Sequence, residues 1–285
     1  MHDILSLTKL VIVDSLEEHE FQTGRQIEIF ARAKFAEHGV PLLVERRSVK
    51  WPDEFKKVLD DLAVEAKDGE RPLLHVEMHG DPQDGLEFAS GGTMKWGQVS
   101  ELLIVLNRAT RFNLVSIFAA CYGAYFAGEL WVNRPSPCFG LLAPEDEIDP
   151  GEVFRGMMRF YGELAVTHDM GQAAALVARD KLTQGRWMNQ TAAAWLPKVL
   201  RATVEQHLTA DGLRAMAART LARLEVQGLT TGIDMLTFSE TKARQYISDL
   251  AFNRFFMVED VPENAERFRL VRECVIQEVL PLVGK

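Results

Sequence analysis

Short apolar runs alternate with amphipathic stretches through the first half of the chain, and no other feature constrains its fold as strongly. Uninterrupted apolar runs of this length are typical of strands buried on both faces of a sheet. The runs interpreted as strands cover residues 10–13, 73–78, 113–120 and 138–143, with a further strand within 40–49. The stretches between them predict helices over 21–37, 51–68 and 96–109. Strands separated by helices predict an α/β fold with a mostly parallel sheet flanked by helices.

The rest of the chain is predominantly helical in its periodicity. A hairpin is expected over 85–94, and a long amphipathic helical stretch from about 150 to 182. Beyond residue 185 the spacing of apolar residues is helical in 199–208, 213–224 and 241–255. We therefore expect an α/β domain over residues 1–184 and an α-helical C-terminal subdomain over 185–285.

Charge and cysteine content argue against several classes of protein. The formal net charge of -9 argues against direct binding to nucleic acid, because phosphate contacts need a basic surface. No apolar run approaches the roughly 20 residues of a membrane helix, and the N-terminal segment does not resemble a signal peptide. Cys121, Cys138 and Cys274 are too scattered for a disulfide framework or a zinc site. We expect a cytoplasmic protein without membrane contact, metal or cofactor.

Two chemically versatile side chains follow predicted strands directly. His79 ends the strand at 73–78, and Cys121 ends the strand at 113–120. In open parallel sheets the ligand site lies at the carboxyl ends of the strands. A hairpin and one helix separate the two residues in sequence, so their strands can be neighbours in the sheet. The sequence therefore predicts that His79 and Cys121 lie at one site.

The two side chains fit nucleophilic catalysis. A thiol needs a base or a positive field to act as a nucleophile near neutral pH, and an imidazole can supply both proton acceptance and donation. Gly80 follows the histidine without a side chain, so its N–H and that of Cys121 could bind an oxyanion. The alternative is that Cys121 is a small buried hydrophobic residue at a strand end, which is the commoner role of a lone cysteine.

The segments around both residues carry a further pattern. They comprise the strand with His79-Gly80 (73–80), the hairpin start (85–88), the helix with Leu102, Leu103 and Leu106, the Cys121 segment (113–123), a strand with an acidic loop (138–147), and a helix pair (160–164 and 170–177). Together they resemble caspase-like cysteine peptidases, above all the CHAT branch related to separases, over roughly residues 70–180. The chain departs from caspases proper at Ala119-Ala120-Cys121, where these carry Gln-Ala-Cys, so cleavage after aspartate is not predicted.

The resemblance implies a cysteine endopeptidase that acts on protein substrates without a cofactor. It implies a dyad of Cys121 and His79 without an obligatory third member, and Gly80 in the oxyanion hole. Relatives of this kind often act in bacterial defence or regulated death under a protein activator or regulator, and the C-terminal helices are the expected regulatory part.

Substrate preference is predicted from acidic residues near the expected site. Asp14 follows the first strand, and Glu145 and Asp146 follow the fifth. A carboxylate in the primary pocket would select arginine or lysine through a charge-paired contact. Cleavage after basic residues is therefore the hypothesis, although each acid could equally be a solvated loop residue.

Two other functions stay open from the sequence. One is a catalytically silent caspase-like module that uses the sheet to bind proteins, which would be favoured by loss of the nucleophile or the base. The other is an α/β hydrolase with a cysteine nucleophile, which favours glycine two residues to either side of that nucleophile. Gly123 fits this pattern but Ala119 does not. His75 is expected to be a packing residue rather than a metal ligand.

Overall fold

The protein divides into two compact units in the computed structural model, and each is described separately. The described residues are 7–179, 186–227 and 234–285. The sheet unit contains 7–130 and Pro137–Thr191, and the helical unit contains Trp131–Ser136 and Ala192–Lys285. The expected domain boundary between residues 184 and 185 lies outside the described residues.

The sheet unit is built on a mixed, mostly parallel sheet. Its strands are β1 (Lys9–Ser15), β2 (Leu43–Ser48), β3 (Pro72–Asp81), β4 (Gly85–Glu87), β5 (Thr93–Met94), β6 (Val115–Ala119), β7 (Gly140–Pro144) and β8 (Trp187–Thr191). The main path runs β2-β1-β3-β6-β7-β8, and every neighbouring pair is parallel except β7 and β8. The predicted α/β class with a mostly parallel sheet flanked by helices is confirmed at this level.

Helices connect successive strands and cover the sheet. They are α1 (Thr23–Glu37), α2 (Pro52–Lys67), α3 (Trp96–Ala109), α4 (Pro150–Thr167) and α5 (Met170–Ala178). Helix α1 packs with α4, and α2 packs with α3. All seven residues of β1 are buried, which agrees with the prediction that apolar runs form strands covered on both faces.

Strand β3 changes partner along its length, and this positions the candidate site. Its first part pairs in parallel with β6, from Leu73 opposite Val115 to Glu77 opposite Ala119. Its last three residues instead pair antiparallel with β4 in the hairpin, where His79 lies opposite Glu87. The carboxyl ends of β3 and β6 therefore open next to the hairpin.

The helical stretch predicted from about 150 to 182 contains two helices, α4 and α5, as the helix pair at 160–164 and 170–177 indicated. Helix α4 ends at Thr167, because His168 adopts a left-handed conformation with φ of 56°. Asp169 then caps α5, and its side chain accepts a hydrogen bond from the Gln172 N–H. The predicted end at 182 lies outside the described residues.

Strand β8 was not predicted, because its region was interpreted as helical throughout. The strand pairs antiparallel with β7 at the edge of the sheet, with Gln190 opposite Leu141. Its sequence is Trp-Met-Asn-Gln-Thr, which lacks the apolar run of a central strand. Trp187 is buried and anchors this edge strand.

The helical unit confirms the periodicity of the last hundred residues. Its helices are α6 (Ala192–His207), α7 (Ala210–Val226), α8 (Met235–Gln245), α9 (Ala251–Phe255), α10 (Asn264–Arg267) and α11 (Arg269–Cys274). Phe252, Phe255, Phe256 and Phe268 are buried together, and the rings of Phe256 and Phe268 stack with centroids 4.1 Å apart. Across both units, no helix of the described residues is long and apolar enough to span a membrane.

Candidate active site

His79 and Cys121 line one cavity at the carboxyl ends of adjacent strands. Glu77 of β3 lies opposite Ala119 of β6, and each of the two site residues follows its strand's member of this pair by two positions. The cavity has a volume of about 60 Å³ and lies wholly within the sheet unit. The prediction that the two strands are neighbours is therefore confirmed.

A tight turn after β6 presents Cys121. Tyr122 adopts a left-handed conformation with φ of 57°, and its N–H donates to the Asp146 carbonyl oxygen at 3.1 Å. Gly123 then starts a short 3₁₀ helix (Gly123–Glu129). A Cβ on Gly123 would lie 2.9 Å from the Phe118 Cβ, so only glycine fits there without displacement. The left-handed residue and the required glycine fix the direction in which the chain leaves Cys121.

The Cys121 thiol is unbridged and partly exposed. Its Sγ accepts a hydrogen bond from the Ile148 N–H at 3.5 Å and lies 3.7 Å from the Ile148 carbonyl oxygen. Ile148 belongs to the loop between β7 and α4. Cys121 is therefore half-buried and lines the cavity, and the alternative of a fully buried hydrophobic cysteine does not describe its position.

His79 has a carboxylate partner, Glu20, which was not predicted from the sequence. The imidazole is about half exposed, and its Nε2 lies 2.5 Å from Oε1 of Glu20 in the loop between β1 and α1. Burial raises the pKa of Glu20, but the Glu17 N–H and His79 outweigh that effect, so its pKa lies below the usual value. No hydrogen bond or ion pair joins His79 to Cys121 in the part of the chain that the structure describes.

Gly80 lies against the main chain of Cys121. A Cβ on Gly80 would come within 2.2 Å of the Cys121 carbonyl oxygen. The Cys121 N–H donates to no main-chain carbonyl among the described residues. The two main-chain segments are thus adjacent, as the oxyanion-hole prediction requires, while a role in catalysis stays a prediction.

A buried polar network lies on one side of the cavity. Glu77 is 4% exposed and accepts a hydrogen bond from the hydroxyl of Thr23. Its other oxygen lies 2.9 Å from His75 Nε2, and His75 Nδ1 lies 2.8 Å from the Tyr161 hydroxyl. Burial raises the pKa of Tyr161 well above its usual value, and the Glu77 charge adds to this. Tyr161 can therefore donate to His75, and His75 to Glu77, which satisfies every group.

Glu77 thus carries a largely buried negative charge beside the cavity. No lysine or arginine of the described residues pairs with it, and Thr23 and Glu77 both line the cavity. Within the described ranges its one partner of possible positive charge is His75, which was predicted to be a packing residue and is buried. The sequence signal for Glu77 is a single acid within an apolar run.

Asp14 was predicted in a loop after the first strand, and this is wrong. It lies within β1, is 3% exposed, and accepts hydrogen bonds from Arg46 at 2.5 Å and Ser48 at 2.8 Å. Its carboxylate is therefore already neutralised inside the protein and does not line the cavity. A substrate guanidinium would have to displace Arg46 to reach it.

Glu145 and Asp146 lie in the loop after β7, as predicted, and both are exposed. Asp146 touches the Cys121 turn through its carbonyl oxygen, which accepts from Tyr122. Neither residue lines the cavity beside Cys121. They can contact only a substrate that extends over the rim of the site.

The site has no evident metal centre. Among the described residues, no group of three or more histidine, cysteine, aspartate or glutamate side chains is arranged to hold a metal ion. The donors at the cavity are one imidazole, one thiol and two carboxylates, and all four already have protein partners. A comparison with protein-family models and a comparison with curated proteins both give no match to this chain.

Proposed function

We propose that this protein is a cysteine endopeptidase in which Cys121 is the nucleophile and His79 is the acid and base. The single observation that carries this proposal is that both side chains line one cavity at the carboxyl ends of the adjacent strands β3 and β6. The mostly parallel sheet flanked by helices is compatible with the caspase-like resemblance. Protein substrates, and a protein activator or regulator, belong to the same proposal.

The proposed reaction passes through a thioester. The Cys121 sulfur attacks the carbonyl carbon of the peptide bond, and the thiol proton passes to His79. The N–H groups of Gly80 and Cys121 stabilise the resulting oxyanion. His79 returns the proton to the leaving amine as the C–N bond breaks. Water, deprotonated by His79, then hydrolyses the thioester and restores the thiol.

The competing proposal of a silent binding module has one observation in its favour. In this conformation the thiol contacts Ile148 and the imidazole contacts Glu20, rather than each other. In a peptidase the Cys121 thiol must leave Ile148 and meet the imidazole, and catalytic hydrogen bonds often tighten only with substrate. The partly exposed thiol and the intact pair favour the peptidase.

The substrate class we propose is a peptide with a basic residue before the cleaved bond. Support comes from Glu77, whose charge beside the cavity lacks a lysine or arginine partner among the described residues. A buried carboxylate without a counter-ion favours binding of a cation. Glu77 therefore takes the role for which Asp14 was predicted, with Glu145 and Asp146 as outer contacts at most.

The peptidase proposal is tested by active-site labelling and peptide hydrolysis. We expect a lysyl chloromethyl ketone to form one covalent adduct on Cys121, identified by peptide mass spectrometry. His79→Ala should abolish the adduct and lower kcat/KM for fluorogenic peptides by about 10²- to 10⁴-fold, the usual contribution of acid–base catalysis. Cys138→Ala should still be labelled. A folded wild-type protein that neither forms the adduct nor cleaves any peptide would support the silent module instead.

The substrate preference is tested separately with matched peptides. The wild-type protein should cleave after arginine or lysine in preference to aspartate or leucine. Glu77→Gln should lower kcat/KM for the arginyl peptide by about 30-fold or more relative to the leucyl peptide, because a desolvated charge pair is lost. Asp14→Asn is the control and should leave the ratio unchanged. A wild-type preference for aspartate or leucine would reject the basic preference but not the peptidase.

A further inference from the structure

Both carboxylate oxygens of Glu20 have a partner within the protein. Oε1 lies 2.5 Å from Nε2 of His79, and Oε2 accepts a hydrogen bond from the Glu17 N–H at 2.5 Å. The side chain is only 23% exposed, whereas the imidazole is 52% exposed. The carboxylate is therefore more strongly fixed than the imidazole that it holds.

The loop that carries Glu20 is itself held in place. The Glu20 N–H donates to the Glu17 carbonyl oxygen at 3.1 Å, and the Gln22 side chain donates to the same oxygen at 2.7 Å. Phe21 packs its ring edgewise on Phe154 of α4, with centroids 5.8 Å apart. These contacts hold the loop in place, so the position of Glu20 does not depend on His79 alone.

The contact with Glu20 decides which nitrogen of His79 can serve Cys121. Because Nε2 faces the carboxylate, Nδ1 is the nitrogen that stays available. We propose that Glu20 is a positioning residue that holds the His79 ring for proton exchange with Cys121 through Nδ1 and stabilises the imidazolium form. This inference rests on the proposed function, and it extends the predicted dyad to a triad.

The charges around His79 are consistent with this role. The pKa of Glu20 lies below its usual value, because the Glu17 N–H and His79 outweigh the effect of burial, so the carboxylate is ionised near neutral pH. Glu87 lies opposite His79 in the hairpin, and Glu77 lines the same cavity. His19 pairs with Glu17 at 3.4 Å rather than with His79. Among these acids, Glu20 is the one that contacts the imidazole.

The test compares three variants of the full chain. Glu20→Gln keeps the shape but removes the charge, Glu20→Asp keeps the charge, and Glu17→Gln makes the same change in the same loop away from the imidazole. Glu20→Gln should lower kcat by about 10- to 100-fold with little change in KM, less than the ~10⁴-fold effect of a fully buried orienting acid. Glu20→Asp should recover part of this loss, and Glu17→Gln should behave like the wild type.

The pH profile gives a readout that a purely structural role would not move. In the proposed reaction the free enzyme needs a neutral His79 to accept the thiol proton, and the Glu20 carboxylate favours the protonated form. In Glu20→Gln the acid limb of kcat/KM should therefore move to lower pH by about 0.5–1 unit, a size suited to a half-exposed pair. A merely loosened loop would lower the whole profile without moving this limb, and that result would overturn the inference.

Alkylation of Cys121 by iodoacetamide separates this inference from the proposed function. Its rate at neutral pH, followed by peptide mapping, should fall several-fold in both Glu20→Gln and His79→Ala. If no peptide is cleaved but this pattern holds, the peptidase proposal fails and the positioning role stands. If peptides are cleaved and Glu20→Gln matches the wild type in both assays, the positioning role fails alone. A faster reaction in Glu20→Gln would also overturn it, because the contact would then restrain the histidine.

Discussion

At the scale of single residues, the candidate site depends on two glycines that make room for neighbouring atoms. Gly123 lets the chain turn past Phe118 directly after Cys121, and Gly80 lets the Cys121 carbonyl approach the end of β3. At both positions a neighbouring atom occupies the place of a Cβ, so glycine is required there for space and not only for backbone freedom. The close approach at Gly80 joins the main chains of the two strands at the point where His79 and Cys121 emerge.

Gly80→Ala should therefore damage the site more than the fold. A Cβ would lie 2.2 Å from the Cys121 carbonyl oxygen, so the Cys121 turn must move. A displacement of about 1 Å in a reacting group costs on the order of 100-fold in rate. We expect kcat/KM to fall by about this factor, with the free energy of unfolding lower by about 1–3 kcal/mol. Peptide hydrolysis and urea unfolding measure the two effects.

Gly128→Ala is the control, since Gly128 lies in the 3₁₀ helix after Cys121 and has no neighbouring atom within 4 Å of the added Cβ. It should leave both activity and stability near wild-type values. Activity of Gly80→Ala equal to that of the control would contradict the close approach of the two main chains.

Residues of the site were predictable only where their signal is local. His79 and Cys121 each end an apolar run, so the sequence alone indicates a sheet edge. Glu77 lies inside such a run, and it bonds to Thr23 of α1 and to His75, which in turn contacts Tyr161 of α4. Asp14 was placed in a loop for the same reason, although it lies in β1 and pairs with Arg46 and Ser48 of β2. Pairing across elements is a tertiary property that a single-sequence pattern does not contain.

At the scale of elements, periodicity predicted the central strands and most helices. Helix α3 begins and ends where the spacing of apolar residues indicates, at Trp96 and Ala109. The pattern did not identify β8, because an antiparallel edge strand needs no apolar run and its pairing with β7 supplies the structure. The break at His168 falls between the two members of the expected helix pair, and Asp169 after it is a recognisable capping residue.

The change of partner along β3 explains why the site lies where it does. A strand that paired with β6 throughout would carry His79 further along the sheet edge. Here the antiparallel pairing of His79 with Glu87 draws the end of β3 into the hairpin. The histidine is thereby displaced from the sheet proper and faces the loop that contains Glu20. The hairpin that follows β3 thus contributes to the position of His79.

At the scale of the whole molecule, the sheet unit contains every residue of the proposed reaction. Its stability should depend on pH through Cys138, which precedes β7 and is 1% exposed. Burial raises the pKa of this thiol to about 12 from an ordinary value of 9.0. Because this pKa is higher in the folded than in the unfolded state, the folded protein keeps the thiol neutral to higher pH. The resulting stabilisation is complete below about pH 9 and is lost as the pH rises toward 12.

The free energy of unfolding of the wild type should therefore fall more steeply above pH 9 than that of Cys138→Ala or Cys138→Ser. Each pH unit is worth at most about 1.4 kcal/mol, so the difference between wild type and either variant should change by about 1–2 kcal/mol between pH 9 and pH 11. Urea unfolding of all three proteins measures it, and ionisation of tyrosine and lysine cancels in the comparison.

The alanine variant leaves a cavity and the serine variant buries a hydroxyl, so their offsets near neutral pH will differ. Their slopes with pH should agree, because neither side chain titrates. A difference that stays constant up to pH 11 would mean that the thiol ionises as readily in the folded chain as in the unfolded one.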